Sequence, residues 1–586
     1  PAVLNLSASE NFFQEKRPFF VEGSGIFSFG GGGGGFGWFN PLFVYTRRIG
    51  RTPQVFRYYD TSFVDAPDRT TIIGAAKLTG KVSEGWNIGA LSAVTEREFI
   101  EIDSSGVRSE EEIEPLTSYN IVRANGEFGD GLSGIGFLGT GTIRDLNANG
   151  LIPVVLPEKA FSVGVDGYTF LDERRGWSVS GWGGLTNVSG ESSAITELQM
   201  APQRYFQQPD AEHLGVDTSL TSFTGYAGRA QLTKRSGNLR MDAAVGVISP
   251  EFEANDIGFS GRADYLNWHL SSDYIWFEPD GLFRNKYVHA HAYQSFDFGS
   301  TPLNAAYGMS FGGQLENFWG VEASLDYTPL TYDTRSTRGG PMIDGPAGWF
   351  GNASVNSDFR QPVAFSAYAG GSTSPHDIWS IYMGADISIR PVDQLEIRFG
   401  PNWNRDFNRA GYVTTRFDPL ASSTFGGRYI FADLMQNTLS ADVRINWAFT
   451  PELSLQVFAQ PFLATGDYSG FKELARPRSY DFNSYGSNSS TIDLDTNNVY
   501  IVDPDGEGAA PVQAFRNPDF NYKSLRGTAV LRWEYLPGST VYLVWTHKRE
   551  NFADPGNMRV GRDLASLFGT AHDNILMLKV TYWINP

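Results

Sequence analysis

The chain has 586 residues, 41% apolar and 14% aromatic, with 65 Gly, no Cys and 46 Lys+Arg against 65 Asp+Glu, a net charge of −19. No run approaches the ~18 uninterrupted apolar residues of a membrane-spanning helix, which excludes an α-helical membrane protein. The missing cysteine excludes thiolate metal sites, disulfide scaffolds and Cys nucleophiles, and the acidic balance argues against nucleic acid as a partner, because phosphate binding needs a basic face.

Residues 1–40 do not read as sheet. They hold the charged cluster Glu15-Lys16-Arg17, the apolar run Pro18-Phe19-Phe20-Val21 and six consecutive glycines from Gly30 to Gly35. A strand bears such a glycine run poorly, because glycine loses the most backbone freedom on ordering. The opening at Pro1, without Met or an apolar signal core, reads as a mature or truncated product.

From residue 41 to 586 the period is two. Trp379–Arg390, Leu439–Trp447 and Leu525–Tyr535 alternate apolar with polar or small residues, which puts successive side chains on opposite faces of a strand. Their length suits a tilted strand crossing a bilayer, about 9–11 residues, better than the soluble average of about 5–6. Very short turns recur at Ser83–Gly85, Gly129–Gly131, Asp172–Gly176, Arg235–Asn238, Glu278–Gly281, Glu316–Asn317, Ser357–Gln361, Pro391–Asp393, Thr450–Glu452 and Pro537–Ser539. Between them lie long connections at 51–69, 99–115, 145–158, 189–220, 329–346, 470–521 and 551–572, without a break in parity. Outer-membrane barrels alternate short periplasmic turns with longer outside loops in this way. Trp86, Trp177, Trp276, Trp319, Trp447, Trp533 and Trp583 stand beside short turns or the chain end, with Trp379 and Trp403 toward the opposite rim, as interfacial aromatics do.

The expectation is therefore an all-β protein: a large closed antiparallel transmembrane β-barrel of about 24 strands (range 22–26). The weakest stretch is Gly411–Leu434, where a short pair, Tyr412–Phe417 and Arg428–Leu434, reads either as one hairpin or as an excursion. An even count puts both termini in the periplasm, and the last strand is expected at Ile575–Ile584. A lumen of this size leaks unless filled, so Pro1–Gly37 is expected as a plug inside it or at its periplasmic mouth, the alternative being a disordered periplasmic tether.

Candidate chemistry is sparse. His289 and His291 share a strand face with Tyr287 and Tyr293; the imidazoles are weak metal candidates lacking a third ligand, and the tyrosines suit sugar stacking or space filling. Asp145–Gly150 opens like a calcium loop but has Leu156 at its twelfth position, so an Asx-rich turn is the better reading. Asp503 and Asp505, in the longest loop, are weak surface cation candidates, calcium being the ion that would suit them; no cofactor is otherwise expected. The acidic run Glu98–Glu114 reads as a solvated loop. None of the seven His lies in a Gly-x-Ser-x-Gly setting, so no enzyme is expected.

Several segments together resemble a known family: Asn5–Gly23, Thr46-Arg47-Arg48-Ile49-Gly50-Arg51, Gly74–Lys81, Arg338-Gly339-Gly340-Pro341, and Gln460-Pro461-Phe462 with Gly470–Leu474. They look like the bacterial outer-membrane family catalogued as domain of unknown function 5916, whose members often carry an upstream carbohydrate-binding-like domain of the family-nine type. The resemblance covers nearly the whole chain, which opens where the barrel-associated part would begin. It implies an integral outer-membrane location. The leading expectation is a transport or translocation channel, its cargo open and glycan suggested only by the upstream domains of the resembling family. Lys77, Arg390, Arg444, Arg526 and Glu534 would line the path, and Glu15, Lys16 and Arg17 would meet them from the plug. Alternatives are a structural barrel that anchors a surface or periplasmic protein and a membrane-embedded hydrolase. Expected partners are membrane lipid, lipopolysaccharide and the barrel-insertion machinery.

Overall fold

A computed structural model describes residues 5–31, 34–55, 63–147, 150–553 and 555–584. One antiparallel sheet of 22 strands dominates it. Twenty-one of these follow one another along the chain: β1 (Ile72–Ser83), β2 (Trp86–Thr95), β3 (Leu116–Phe128), β4 (Ser133–Asp145), β5 (Lys159–Phe170), β6 (Trp177–Ser189), β7 (Ser222–Lys234), β8 (Leu239–Ile248), β9 (Tyr265–Trp276), β10 (Phe283–Phe296), β11 (Pro302–Leu315), β12 (Gly320–Thr328), β13 (Gly348–Asn356), β14 (Val363–Thr373), β15 (Trp379–Val392), β16 (Leu395–Phe417), β17 (Gly427–Ala448), β18 (Leu453–Leu474), β19 (Phe520–Leu536), β20 (Ser539–Asn551) and β21 (Asp573–Thr581). Each pairs with its predecessor. The remaining strand, Phe482–Ser484, adds to the far end of β18.

The alternation has an inverted logic. In β3, Tyr119 and Ile121 are 1% exposed, whereas Val122, the next residue along, is 61% exposed. The same open, apolar face continues through Val163, Leu185, Val245 and Met309, all more than half exposed. The buried face is the inner one, and what buries it is the start of the chain. Phe20, Phe27, Trp38, Phe43 and Ile49 form one cluster with Leu91, Tyr119, Leu138, Trp182, Ile248 and Tyr265 from β2, β3, β4, β6, β8 and β9. The largest apolar core of the protein thus lies between residues 20–49 and the inner side of the sheet.

The ten expected turns all fall at one rim, as connections of two to six residues; the opposite rim carries connections of 5 to 45 residues. Two details differ from the sequence expectation. The stretch Gly411–Leu434 is no separate hairpin: its two arms are the ends of β16 and β17, 23 and 22 residues long, joined across register shifts near Asn408 and Tyr412. Those irregularities break the period of two, so the far ends of the two long strands read as a separate short pair. Among the described residues the consecutive strands number 21, an odd count. β1 starts at the rim of long connections and β21 ends at the rim of short turns, so the two ends of the sheet do not share a side as an even count requires.

The acidic run is also structured. Glu98–Ser104 and Val107–Glu114 form a hairpin with Phe63–Asp65 beside it. Ile100, Ile102 and Ile113 are buried on one face against Val64, leaving most carboxylates on the other.

Candidate functional site

Two networks hold the amino-terminal segment against the sheet. The first is polar, centred on the segment and extended to Gly258, Lys77 and Arg338 outside it. Arg48 donates to both carboxylate oxygens of Glu10 at 2.7 and 2.8 Å, and its Nε donates to the Gly258 carbonyl at 2.9 Å. Arg17 donates to the Glu15 carboxylate and to the carbonyls of Thr46 and Ile49 at 2.7–3.0 Å, while the Thr46 hydroxyl donates to Glu15 at 2.7 Å. Burial alone would raise the Glu15 pKa, but the hydrogen bonds from Arg17 and Thr46 outweigh it and hold the carboxyl at about 2. The segments Asn5–Gly23 and Thr46–Arg51 are thereby knotted together. Two further segments of the family resemblance close on the same knot. Lys77 donates to the carbonyls of Phe19 and Glu22, and Arg338 donates to the Leu6 carbonyl at 3.1 Å.

The second network is steric. Aromatic side chains of the segment rest on strand glycines of the inner face. A Cβ on Gly164 of β5 would lie 2.4 Å from Phe29, on Gly184 of β6 2.4 Å from Phe43, and on Gly246 of β8 2.5 Å from Trp38. Above Gly164, Asp166 accepts the Gly30 amide at 3.0 Å and binds Arg123 of β3 through both oxygens at 2.7 and 2.8 Å. The Arg229 guanidinium lies 4.8 Å over the Trp38 ring.

Beside Trp38, Phe36 stacks on His269 at 4.6 Å and lies 5.3 Å from His291. Each imidazole there has its own carboxylate: His269 with Asp242 at 2.5 Å, His289 with Asp273 at 2.7 Å and His291 with Asp326 at 3.0 Å. Carboxylates therefore do approach His289 and His291 from neighbouring strands, but singly. No three-ligand metal group includes either histidine among the described residues. Tyr293 lies beneath Gly37, where an added Cβ would meet its ring at 2.6 Å, and the Tyr287 ring lies against Gly312 of β11. Tyr293 is half-buried there.

Away from the segment the interior is open. A cavity of 850 Å³ is lined by Lys16, Asp442, Arg444, Gln456, Arg526 and Lys548 among others, joining the segment to β17, β18, β19 and β20. The eight charges expected in one path thus divide. Lys16, Arg444 and Arg526 share this cavity, and Lys77 grips the segment. Glu15 and Arg17 bond to the segment itself. Arg390 donates to the carbonyls of Phe359 and Gln361, and Glu534 accepts from Arg532 at 2.6 Å and the Gly538 amide at 3.1 Å; both serve the short-turn rim. In the long connection, Asp503 and Asp505 accept backbone amides of Gly506 and Ala510, which fixes turns. Of the calcium-loop look-alike, Ala148 and Asn149 lie outside the described residues; Asp145 pairs with Arg97 and Asn147 donates to Glu112. The middle of the glycine run, residues 32–33, also lies outside them.

The family model "Domain of unknown function (DUF5916)" matches residues 1–151 and 186–585, and the chain belongs to that family. No curated protein matches it. Among solved structures, the outer membrane transporter YddB from Escherichia coli is similar at 9% identity and a TM-score of 0.35, over 86% of this chain and 74% of that one.

Proposed function

We propose that this protein is an integral β-barrel of the bacterial outer membrane that passes a polar solute through a lumen half-filled by its own amino-terminal plug. On this reading the sheet closes with β1 and β21 along the seam, both running from the long-connection rim to the short-turn rim, so that closure there is parallel. Closure is supported by the reach of the segment: Lys77 of β1 holds its backbone, while its Lys16 shares a cavity with β17–β20, near the other end of the sheet. A flat sheet cannot touch one short segment from both ends.

The observation that carries the proposal is the inversion of faces. The outer side chains are apolar and uncovered, and the inner ones are either packed by the segment or polar and open. Lipid is the solvent that such an outer face requires. The cavity beside Lys16 is the path left when the plug occupies the β1–β10 side. Long connections then face outward, with the acidic hairpin 98–114 meeting lipopolysaccharide through divalent cations, and the insertion machinery delivers the barrel. No chemical step belongs to this role.

Conductance in planar bilayers tests it. The full chain is expected to conduct weakly or in brief openings, and a form lacking Pro1–Gly37 to hold a larger, steady conductance. A folded, plug-deleted barrel that stays closed contradicts the proposal.

A further inference from the structure

Outside the interior, one cluster of side chains stands at the rim of long connections. His213 comes from the connection between β6 and β7, Asp264 from that between β8 and β9, and Asp297 from that between β10 and β11. One donor atom from each lies within 4.8 Å of the other two. His213 Nε2 and Asp264 Oδ2 are 2.9 Å apart. Asp264 and Asp297 are 8% and 2% exposed.

We propose that these three side chains bind a divalent first-row transition-metal ion that ties the three connections together. Two carboxylates buried side by side repel, and burial without a countercharge is costly. Among the described residues neither has a Lys or Arg within ion-pair distance; the buried Arg262 guanidinium donates to Thr334 and lies over the Tyr265 ring, and offsets the two carboxylates only through a longer-range charge interaction. Asp297 spends one oxygen on the Thr301 amide at 2.7 Å and has no partner for the other among these residues. Asp264 is aimed likewise, its second oxygen accepting the Phe298 amide at 2.9 Å. Amides that orient ligating carboxylates are the outer shell a metal site needs.

The backbone makes room for the cluster. A Cβ on Gly299 would stand 2.5 Å from His213 Nδ1 and 3.2 Å from Asp297 Oδ1, so that position accepts no side chain without displacing a ligand. On its open side His213 faces a cavity of 710 Å³ lined also by Asp210, Thr301 and Arg478, which admits the ion and the water that completes its coordination. One imidazole with two carboxylates suits zinc or manganese; calcium prefers six to eight oxygens.

The test uses the full chain in detergent, stripped with chelator and titrated with Zn²⁺, Mn²⁺ and Ca²⁺ by calorimetry. Hydrogen exchange is followed in peptides covering residues 206–216, 258–266 and 296–301. One Zn²⁺ or Mn²⁺ per chain is expected, with slower exchange in all three peptides together. The isosteric D297N and the variant H213A should each weaken binding at least tenfold, and the exposed E197Q should not. Should H213A loosen the rim, the parent with and without metal and D297N still decide. No stoichiometric binding, binding of Ca²⁺ alone, or affinity indifferent to D297N would each overturn the proposal.

Discussion

If the plug is seated by aromatic rings on strand glycines, giving those glycines side chains should unseat it without harming the sheet. Gly164→Val and Gly246→Val form the sharpest pair. Their new Cβ atoms would stand 2.4 Å from the Phe29 ring and 2.5 Å from the Trp38 ring, against about 3.5–4.0 Å for carbons in contact. Each ring must therefore retreat by about 1 Å or more. Trp38 has little space to do so, being 3% exposed, under Arg229 and beside Trp182. Overfilling a packed site costs about 1–3 kcal/mol, so the pair should weaken docking by about 2–6 kcal/mol if the sites add. That is roughly 30-fold to 10⁴-fold in the docked-to-free ratio. Valine favours strands, so the sheet itself should not suffer. Trypsin cleavage after Lys16 reads the docked state, and heat-modifiable migration in gels reports the barrel. Gly139→Val with Gly183→Val is the control, since nothing lies within 4 Å of a Cβ at either position. A double variant whose plug stays as protected as the parent's, or a control that releases it equally, refutes the seating.

Three further outcomes follow from the same contacts. Lys77→Met removes the donor shared by the Phe19 and Glu22 carbonyls; a loss of about 1–2 kcal/mol of docking, screened by interior water, should appear as faster cleavage at Lys16 in the same protease assay. Asp166→Ala leaves the buried Arg123 guanidinium without its anion, which should cost about 3–5 kcal/mol, while Arg123→Met with Asp166→Leu should recover much of that; the urea midpoint of barrel unfolding measures both. The Glu15 carboxyl is held at about 2, below its ordinary 4.5, so its contribution is complete above pH 4.5 and falls away as pH drops toward 2. Hydrogen-exchange protection of residues 13–17, corrected for intrinsic rates, should decline over that window and lose its pH dependence in Glu15→Gln.

The architecture was largely legible because the inner and outer faces impose a strict period of two and because turn length alternates with direction. Where an irregularity interrupts that period, as at Asn408–Tyr412, one strand of 23 residues passed for a strand and a half-hairpin. The hairpin 98–114 shows the opposite failure. Its charge density masked an alternation of Ile100, Ile102 and Ile113 that was present in the sequence. The site was harder to read, since its contacts join residues far apart in the chain. Nothing local to Gly164, Gly184 or Gly246 announces a ring above it, although glycine in a strand interior does mark close approach. Likewise His213, Asp264 and Asp297 carry no spacing signal, because three separate connections deliver them to one rim.

The central claim concerns what the outer side chains touch, and the chain's lack of cysteine makes it directly measurable. Single cysteines placed along β3 and β8, at residues 119–124 and 243–247, can be spin-labelled after reconstitution into liposomes. Collision with oxygen, which partitions into lipid, and with a water-soluble nickel chelate should then alternate residue by residue, with Val122 and Val245 high in oxygen and low in nickel contact. Uniform nickel access along both strands, or a protein that stays monomeric in water without detergent, contradicts the account.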